Sequence, residues 1–159
     1  MKYEIYTDGA CAVNKCLGGY AAIVQNSKGE RVVMSGSRTG ATNNQMELLA
    51  VISGINAIYG LKQSDEVIVY SDSAYVVNAI QQKWYVNWIK NGWRTSDNKQ
   101  VKNKKMWLAL IGKLELANIT FRKVKGHNGV EMNEFVDRMA VAEVNRLKAL
   151  EGVTICRSL

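Results

Sequence analysis

Glu66-Val67-Ile68-Val69-Tyr70-Ser71-Asp72-Ser73 is the stretch whose reading decides the fold. Its first six residues are a short β-branched and aromatic run, the pattern of a buried strand. An acid and a serine then end the apolar run with cap chemistry. What flanks this strand decides how it pairs. Upstream, Thr42-Asn43-Asn44-Gln45 has the form of a capping box and precedes Met46, Leu49, Ala50, Ile52 and Ala57 at helical intervals. Downstream, residues 73–81 and 83–90 read as short helices and 101–116 as a longer one. Residues 118–124 read as a last strand, and 131–150 as an amphipathic helix carrying Phe135, Val136, Met139, Ala140 and Val144. Strands separated by helical crossovers pair in parallel. Nearer the N-terminus, residues 2–7 alternate, with Tyr3 and Ile5 on one face and Glu4 and Tyr6 on the other. Residues 20–25 and 31–37 follow across Asn26-Ser27-Lys28-Gly29 at hairpin spacing. Antiparallel hairpins joined to helical crossovers make a mixed sheet with helices packed on it, an α/β fold.

The chain has the length of one domain, 159 residues, with 47% hydrophobic residues and no internal repeat. That is enough for a single core. No apolar run is long enough to cross a membrane, and Met1-Lys2-Tyr3-Glu4-Ile5 lacks the apolar core of a signal peptide, so a soluble, cytoplasmic protein is expected. Cys11, Cys16 and Cys156 are odd in number and have neither CxxC nor Cys/His spacing, which argues against a disulfide framework and a structural zinc.

Charge is concentrated. Seven basic residues (Lys83, Lys90, Arg94, Lys99, Lys102, Lys104, Lys105) face one acid, Asp97, within residues 83–105, so +6 of the net +7 lies there. Trp84, Trp88 and Trp93 fall in the same segment. It is either a solvated face whose tryptophans only pack, or an arm that grips a polyanion.

Four acids stand out. Asp8 closes the first strand, Glu47 lies in the first turns of the helix begun by Thr42, Asp72 ends the 66–71 strand, and Asp137 lies on the last helix. Each has an ordinary local reading: a turn before Gly9, a complement to the helix dipole, a cap, a solvated helical acid. Together they read differently, because Asp8 and Asp72 end runs that look like neighbouring parallel strands. Two carboxylates about 4 Å apart repel by roughly 4 kcal/mol at an effective dielectric of 20. A cluster therefore protonates, spreads or takes up cations, and hard divalent ions suit all-oxygen ligands. A pair of such ions is suited to phosphodiester cleavage.

Tyr6-Thr7-Asp8-Gly9, Thr42-Asn43-Asn44-Gln45-Met46-Glu47-Leu48, Ser71-Asp72-Ser73, and Lys125-Gly126-His127-Asn128-Gly129 followed by Asn133 and Asp137 resemble, in order and spacing, the type 1 ribonuclease H family. The resemblance spans about residues 1–148. It implies a five-stranded mixed sheet with helices on both faces. It implies a metal-dependent endonuclease that hydrolyses the RNA strand of RNA–DNA hybrids by a two-metal-ion mechanism, leaving 5′-phosphate and 3′-hydroxyl ends. Asp8, Glu47, Asp72 and Asp137 would be catalytic ligands for two Mg2+ ions, with Mn2+ as a substitute. His127 matches a mobile histidine beside the scissile phosphate, where an imidazole's ordinary pKa suits proton shuttling. Asn133 would hold the neighbourhood of the final acid. Asn14, Asn43, Asn44 and Gln45 match positions touching the hybrid's minor groove, where amides reach 2′-hydroxyls. Thr42 with Asn14 resembles a pocket for a DNA phosphate. The basic segment resembles a protrusion that grips the DNA strand, with Trp84, Lys90, Lys99, Lys102 and Lys104 as its contacts. On this reading residues 1–150 are the catalytic domain, 83–105 its handle and 151–159 a tail. The partner is a hybrid duplex, with no membrane and no obligate protein partner, and the protein is a monomer.

The chain departs from the family in two loops. Cys11-Ala12-Val13-Asn14-Lys15-Cys16-Leu17-Gly18 stands where members are usually Pro/Gly-rich, and Val130-Glu131-Met132 where they often carry Pro-Glu. Two other classes compete. A hybrid-binding module without catalysis would have shed an acid, and all four are present. A hydrolase with a Ser or Cys nucleophile would have His127 as its only imidazole base.

Overall fold

The computed structural model describes residues 1–12, 16–124 and 131–157. β1 (Lys2–Ala12), β2 (Leu17–Asn26) and β3 (Arg31–Thr39) form an antiparallel meander. α1 (Asn43–Asn56) leads to β4 (Glu66–Ser71). α2 (Ala74–Gln81), α3 (Trp84–Lys90) and α4 (Lys104–Leu114) lead to β5 (Asn118–Lys123), and α5 (Glu131–Arg157) follows. The sheet order is β3-β2-β1-β4-β5, with β1–β4 and β4–β5 parallel. This is the expected mixed sheet of five strands.

Both faces are covered, and β2 shows why. Ala22 and Val24 join Ile5, Val67, Val69 and Phe121 in a core filled by Leu48, Val51 and Ile55 of α1, Val76 of α2, and Trp107 and Leu110 of α4. The alternate residues Ala21 and Ile23 point the other way, against Val136 and Ala140 of α5. Each fully buried aliphatic side chain contributes roughly 2 kcal/mol. A strand apolar on both faces is therefore held centrally between two helical layers.

Several boundaries differ from the sequence reading; β2, for one, starts at Leu17 and not at residue 20. β1 does not end at Asp8. Its pairing with β4 stops at Tyr6↔Tyr70, but the hairpin with β2 carries the strand on to Ala12. The helix expected over 101–116 begins only at Lys104. Asn103 sits at φ 64, a left-handed conformation that no right-handed helix can pass through, while Val101 is pinned by its N–H to the Trp93 carbonyl. α5 runs beyond residue 150 to Arg157, so part of the segment read as a tail is helical.

Candidate active site

The sheet register brings the first two acids together. Because Tyr6 pairs with Tyr70 in the parallel ladder, Asp8 and Asp72 stand at equivalent heights on adjacent strands, just past the end of their pairing. Neighbouring strands lie about 4.8 Å apart, so the two carboxylates are held close by the backbone. The capping alternative for Asp72 fails, since Ser73 is the N-cap of α2 and its hydroxyl accepts from the Val76 N–H. The turn alternative for Asp8 fails too, because β1 continues through Gly9.

Glu47 arrives from the helix. Thr42 caps α1 through a complete capping box: its hydroxyl accepts from Gln45 N–H, and the Gln45 side chain accepts from Thr42 N–H. That sets the phase of α1 and turns Glu47 towards β1, beyond the first turn where it would serve the dipole. Close approach needs Gly9. A Cβ there would lie 2.7 Å from the Glu47 nitrogen and 2.7 Å from the Met46 carbonyl carbon. The Gly9 N–H donates to Asp8 Oδ1 at 2.9 Å and to Glu47 Oε1 at 3.1 Å.

Asp8, Glu47 and Asp72 each offer a carboxylate oxygen within 4.8 Å of the others. Asp137 of α5 lines the same open cavity of about 440 Å3, together with Gly9, Asn43, Asn44, Ser73 and Tyr75. Burial, then Asp72 and Asp137, pushes the Asp8 carboxyl up to about 7. Burial, then Asp8 and Asp72, pushes Glu47 up to about 9, and the Gly9 N–H only partly offsets this. Glu47 Oε2 is buried with no hydrogen-bond partner among the described residues. Carboxyl groups crowded so closely that they hold their protons, one oxygen lacking a partner among the described residues, fit a site that cations would complete. An all-carboxylate donor set fits a hard divalent ion.

The other predicted residues are distributed unevenly. Asn43 and Asn44 line the cavity. Gln45 does not: its amide nitrogen donates to Asn103 Oδ1 at 3.2 Å. Thr42 is exposed at the start of α1. Both Asn133 amide atoms, on the first turns of α5, are buried without partners among the described residues. Asn14 and His127 lie outside the described residues. Trp88, Trp93 and Trp107 pack together towards the core, Trp88–Trp107 edge to face with centroids 5.3 Å apart and Trp88–Trp93 tilted at 5.8 Å. Trp84 closes this ladder at its exposed edge, with its indole N–H on Gln82 Oε1. Lys90, Lys99, Lys102 and Lys104 are exposed, and Lys104 Nζ sits 5.9 Å over the Trp93 ring. The tryptophans thus build the scaffold from which the lysines project. Gly9 and Tyr75 were not singled out in the sequence. An Asp-Gly step at a strand end was the available signal for the first; for Tyr75 there was none.

A family model for RNase H matches residues 1–145 of the chain. The chain belongs to the RNase H family. It is 44% identical over 144 residues to the ribonuclease H of Caldicellulosiruptor saccharolyticus, covering 91% of this chain and 97% of that one. It is 46% identical over 141 residues to the ribonuclease H of Agrobacterium fabrum, covering 88% and 93%. Among solved structures, LC9-RNase H1, a type 1 RNase H with the type 2 active-site motif, aligns with a TM-score of 0.75 at 25% identity, over 91% of this chain and 72% of that one. The N-terminal RNase H domain of a Mycobacterium tuberculosis protein aligns at 0.71 and 21% identity, over 94% and 98%, and shows the fold alone. Membership makes the chain a nuclease of the hydrolase class from a divalent-metal-dependent family, and the acid cluster is the group of described residues that could hold the metal.

Proposed function

We propose that the protein is an endoribonuclease that hydrolyses the RNA strand of RNA–DNA hybrids, leaving 5′-phosphate and 3′-hydroxyl ends. The observation that carries this reading is the convergence of Asp8, Glu47 and Asp72 within 4.8 Å, with Asp137 on the same cavity. These four would hold two Mg2+ ions, with Mn2+ as a substitute, and the bound ions would activate a water and stabilise the leaving oxygen. Glu47 Oε2, buried and without a partner among the described residues, and the raised Asp8 and Glu47 carboxyls support cation occupancy.

The chain's own residues do the rest. Gly9 N–H holds Asp8 and Glu47 in one orientation. Asn43 and Asn44 present amides along the cavity, suited to the 2′-hydroxyls that distinguish RNA from DNA. His127 shuttles a proton beside the scissile phosphate, and Asn133 holds the neighbourhood of Asp137. Asn14 and Thr42 receive a DNA phosphate, and Asn14 and Gln45 extend the minor-groove contacts of Asn43 and Asn44. Lys90, Lys99, Lys102, Lys104 and Trp84 grip the duplex, whose phosphates supply most of the affinity. Free Cys11 and Cys16 thiols suit a reducing cytoplasm. The protein is proposed to act as a monomer; no described helix is long and apolar enough to cross a membrane.

Labelled hybrid, duplex RNA and duplex DNA, each incubated with Mg2+, Mn2+ or EDTA, test the reading. Internal cuts in hybrid RNA that need the metal are expected. Cleavage of the DNA strand, or undiminished activity in EDTA, would overturn it.

A further inference from the structure

Beyond Tyr6 and Tyr70 the two central strands part. Tyr6↔Tyr70 is the last pair of the β1–β4 ladder, yet both strands run on, each fastened to its outer neighbour. Thr7 and Asp8 pair with Ala22 and Ala21 of β2. On the other side Ser71 pairs with Lys123 of β5, and its carbonyl accepts from the Val124 N–H at 3.0 Å. The Ser71 hydroxyl also accepts from the Ser73 N–H at 3.1 Å, which holds the backbone in a tight turn around Asp72. Glu47 belongs to the β1 side, because the Gly9 N–H holds it beside Asp8. The acid cluster is thus built on two separately braced halves, and the width of the β1–β4 gap sets how far apart they stand.

A side chain spans that gap where it opens. The Thr7 hydroxyl donates to the Tyr70 carbonyl at 3.0 Å, at the end of the ladder. Thr7 is only 2% exposed, so water does not compete for the bond. Asp8 follows Thr7 directly, and Asp72 lies just beyond Tyr70 and Ser71, so the bond is placed at the base of both acids. Packing does not account for a hydroxyl here: valine has the same shape and would bury no polar atom. Mutual repulsion of the three carboxylates acts to widen the gap, and the hydroxyl bridge opposes it.

We infer that Thr7 is a positioning residue of the metal site. Its hydroxyl fixes the spacing between the half that carries Asp8 and Glu47 and the half that carries Asp72. The three carboxylate oxygens, within 4.8 Å of one another, are thereby preset for a divalent ion. A preset site needs no rearrangement to bind, so the bridge acts on metal affinity and not on the chemistry that follows. Thr7 works through the three acids and itself touches neither ion nor substrate. The inference rests on the reading of the acid cluster as a metal site.

The test uses the whole chain, as Thr7→Val and Thr7→Ser beside the parent. Valine keeps the shape and removes the donor; serine keeps the donor and removes the methyl. Mn2+ binding without substrate is measured by titration calorimetry, melting temperature in EDTA, and hybrid turnover against Mg2+ concentration. Thr7→Val should raise the Mn2+ Kd about tenfold, the lower end of what partners of metal ligands contribute, and should raise the half-saturating Mg2+ concentration alike. At saturating Mg2+ its KM for the hybrid should stay near the parent's. Thr7→Ser should bind Mn2+ nearly as the parent does, even where its melting temperature falls. A purely structural threonine predicts a lower melting temperature for Thr7→Val with an unchanged Mn2+ Kd, and that result would overturn the inference. So would a serine variant that binds Mn2+ as poorly as the valine one. If Thr7→Val fails to fold, Thr7→Cys replaces it, close in size and a weak donor. Its Mn2+ Kd should rise in the same direction; an unchanged Kd overturns the inference. A parent that binds no Mn2+ would instead refute the reading of the acid cluster as a metal site.

Discussion

Replacing Glu47 by glutamine should stabilise the metal-free protein at pH 8 and change little at pH 5. Glutamine keeps the Oε1 acceptor that the Gly9 N–H uses at 3.1 Å, so shape and that bond survive. What it removes is an ionisable group whose pKa burial and Asp8 and Asp72 push from an ordinary 4.5 up to about 9. A carboxyl with a raised folded-state pKa binds its proton more tightly folded than unfolded. Its contribution to stability is therefore complete below about 4.5 and is lost as pH rises towards 9. Each pH unit in that window costs up to about 1.4 kcal/mol, which caps the loss at pH 8 near 5 kcal/mol. Asp8, itself pushed up to about 7, shares the same repulsion. Assigning half to Glu47 leaves about 2–3 kcal/mol, or roughly 5–10 °C in Tm for a chain of this size. Calorimetric melts of parent and Glu47→Gln in EDTA at pH 5 and pH 8 measure it. Saturating Mg2+ should reverse the order, because binding stabilises the parent more. A variant no more stable than the parent at pH 8 in EDTA would refute the electrostatic account of the cluster.

Other perturbations separate the roles of the parts. Asp72→Asn should lower turnover by orders of magnitude while hybrid binding in a gel-shift assay survives, whereas His127→Ala should leave slower but measurable cleavage; equal losses would refute the division between metal ligand and proton shuttle. Gly9→Ala puts a methyl 2.7 Å from the Glu47 backbone nitrogen, so α1 must shift and stability should fall by about 1–3 kcal/mol in urea melts, with activity lost. Replacing Lys99, Lys102 and Lys104 together by Ala should raise KM and flatten the slope of log affinity against log salt by up to about three, leaving kcat nearly unchanged. An unaltered slope would return the basic segment to a solvated face.

Sequence alone determined the parts of this protein that depend on neighbours along the chain. The 66–71 strand matches its observed bounds because three β-branched residues and a tyrosine between polar ends admit little else. Thr42 and Gln45 form the capping box that their spacing demands, because capping is local hydrogen-bond chemistry. Family motifs likewise made the four acids legible as a set. Tertiary structure alone decided how those acids meet. Asp8 was read as a strand end, but β1 continues because β2 supplies pairing that no residue near Asp8 announces. The alignment of Asp8 with Asp72 is a property of register between strands over sixty residues apart, and the need for Gly9 arises only when α1 is laid on β1. Asn103 and Tyr75 carried no local signal either. Asn103 meets Gln45 and Tyr75, and Tyr75 meets Trp107, through hydrogen bonds brought within 3.3 Å by packing and not by sequence spacing. Local propensity and capping act over one helical turn, whereas a catalytic cavity is assembled from ends of elements that touch only once the core has closed.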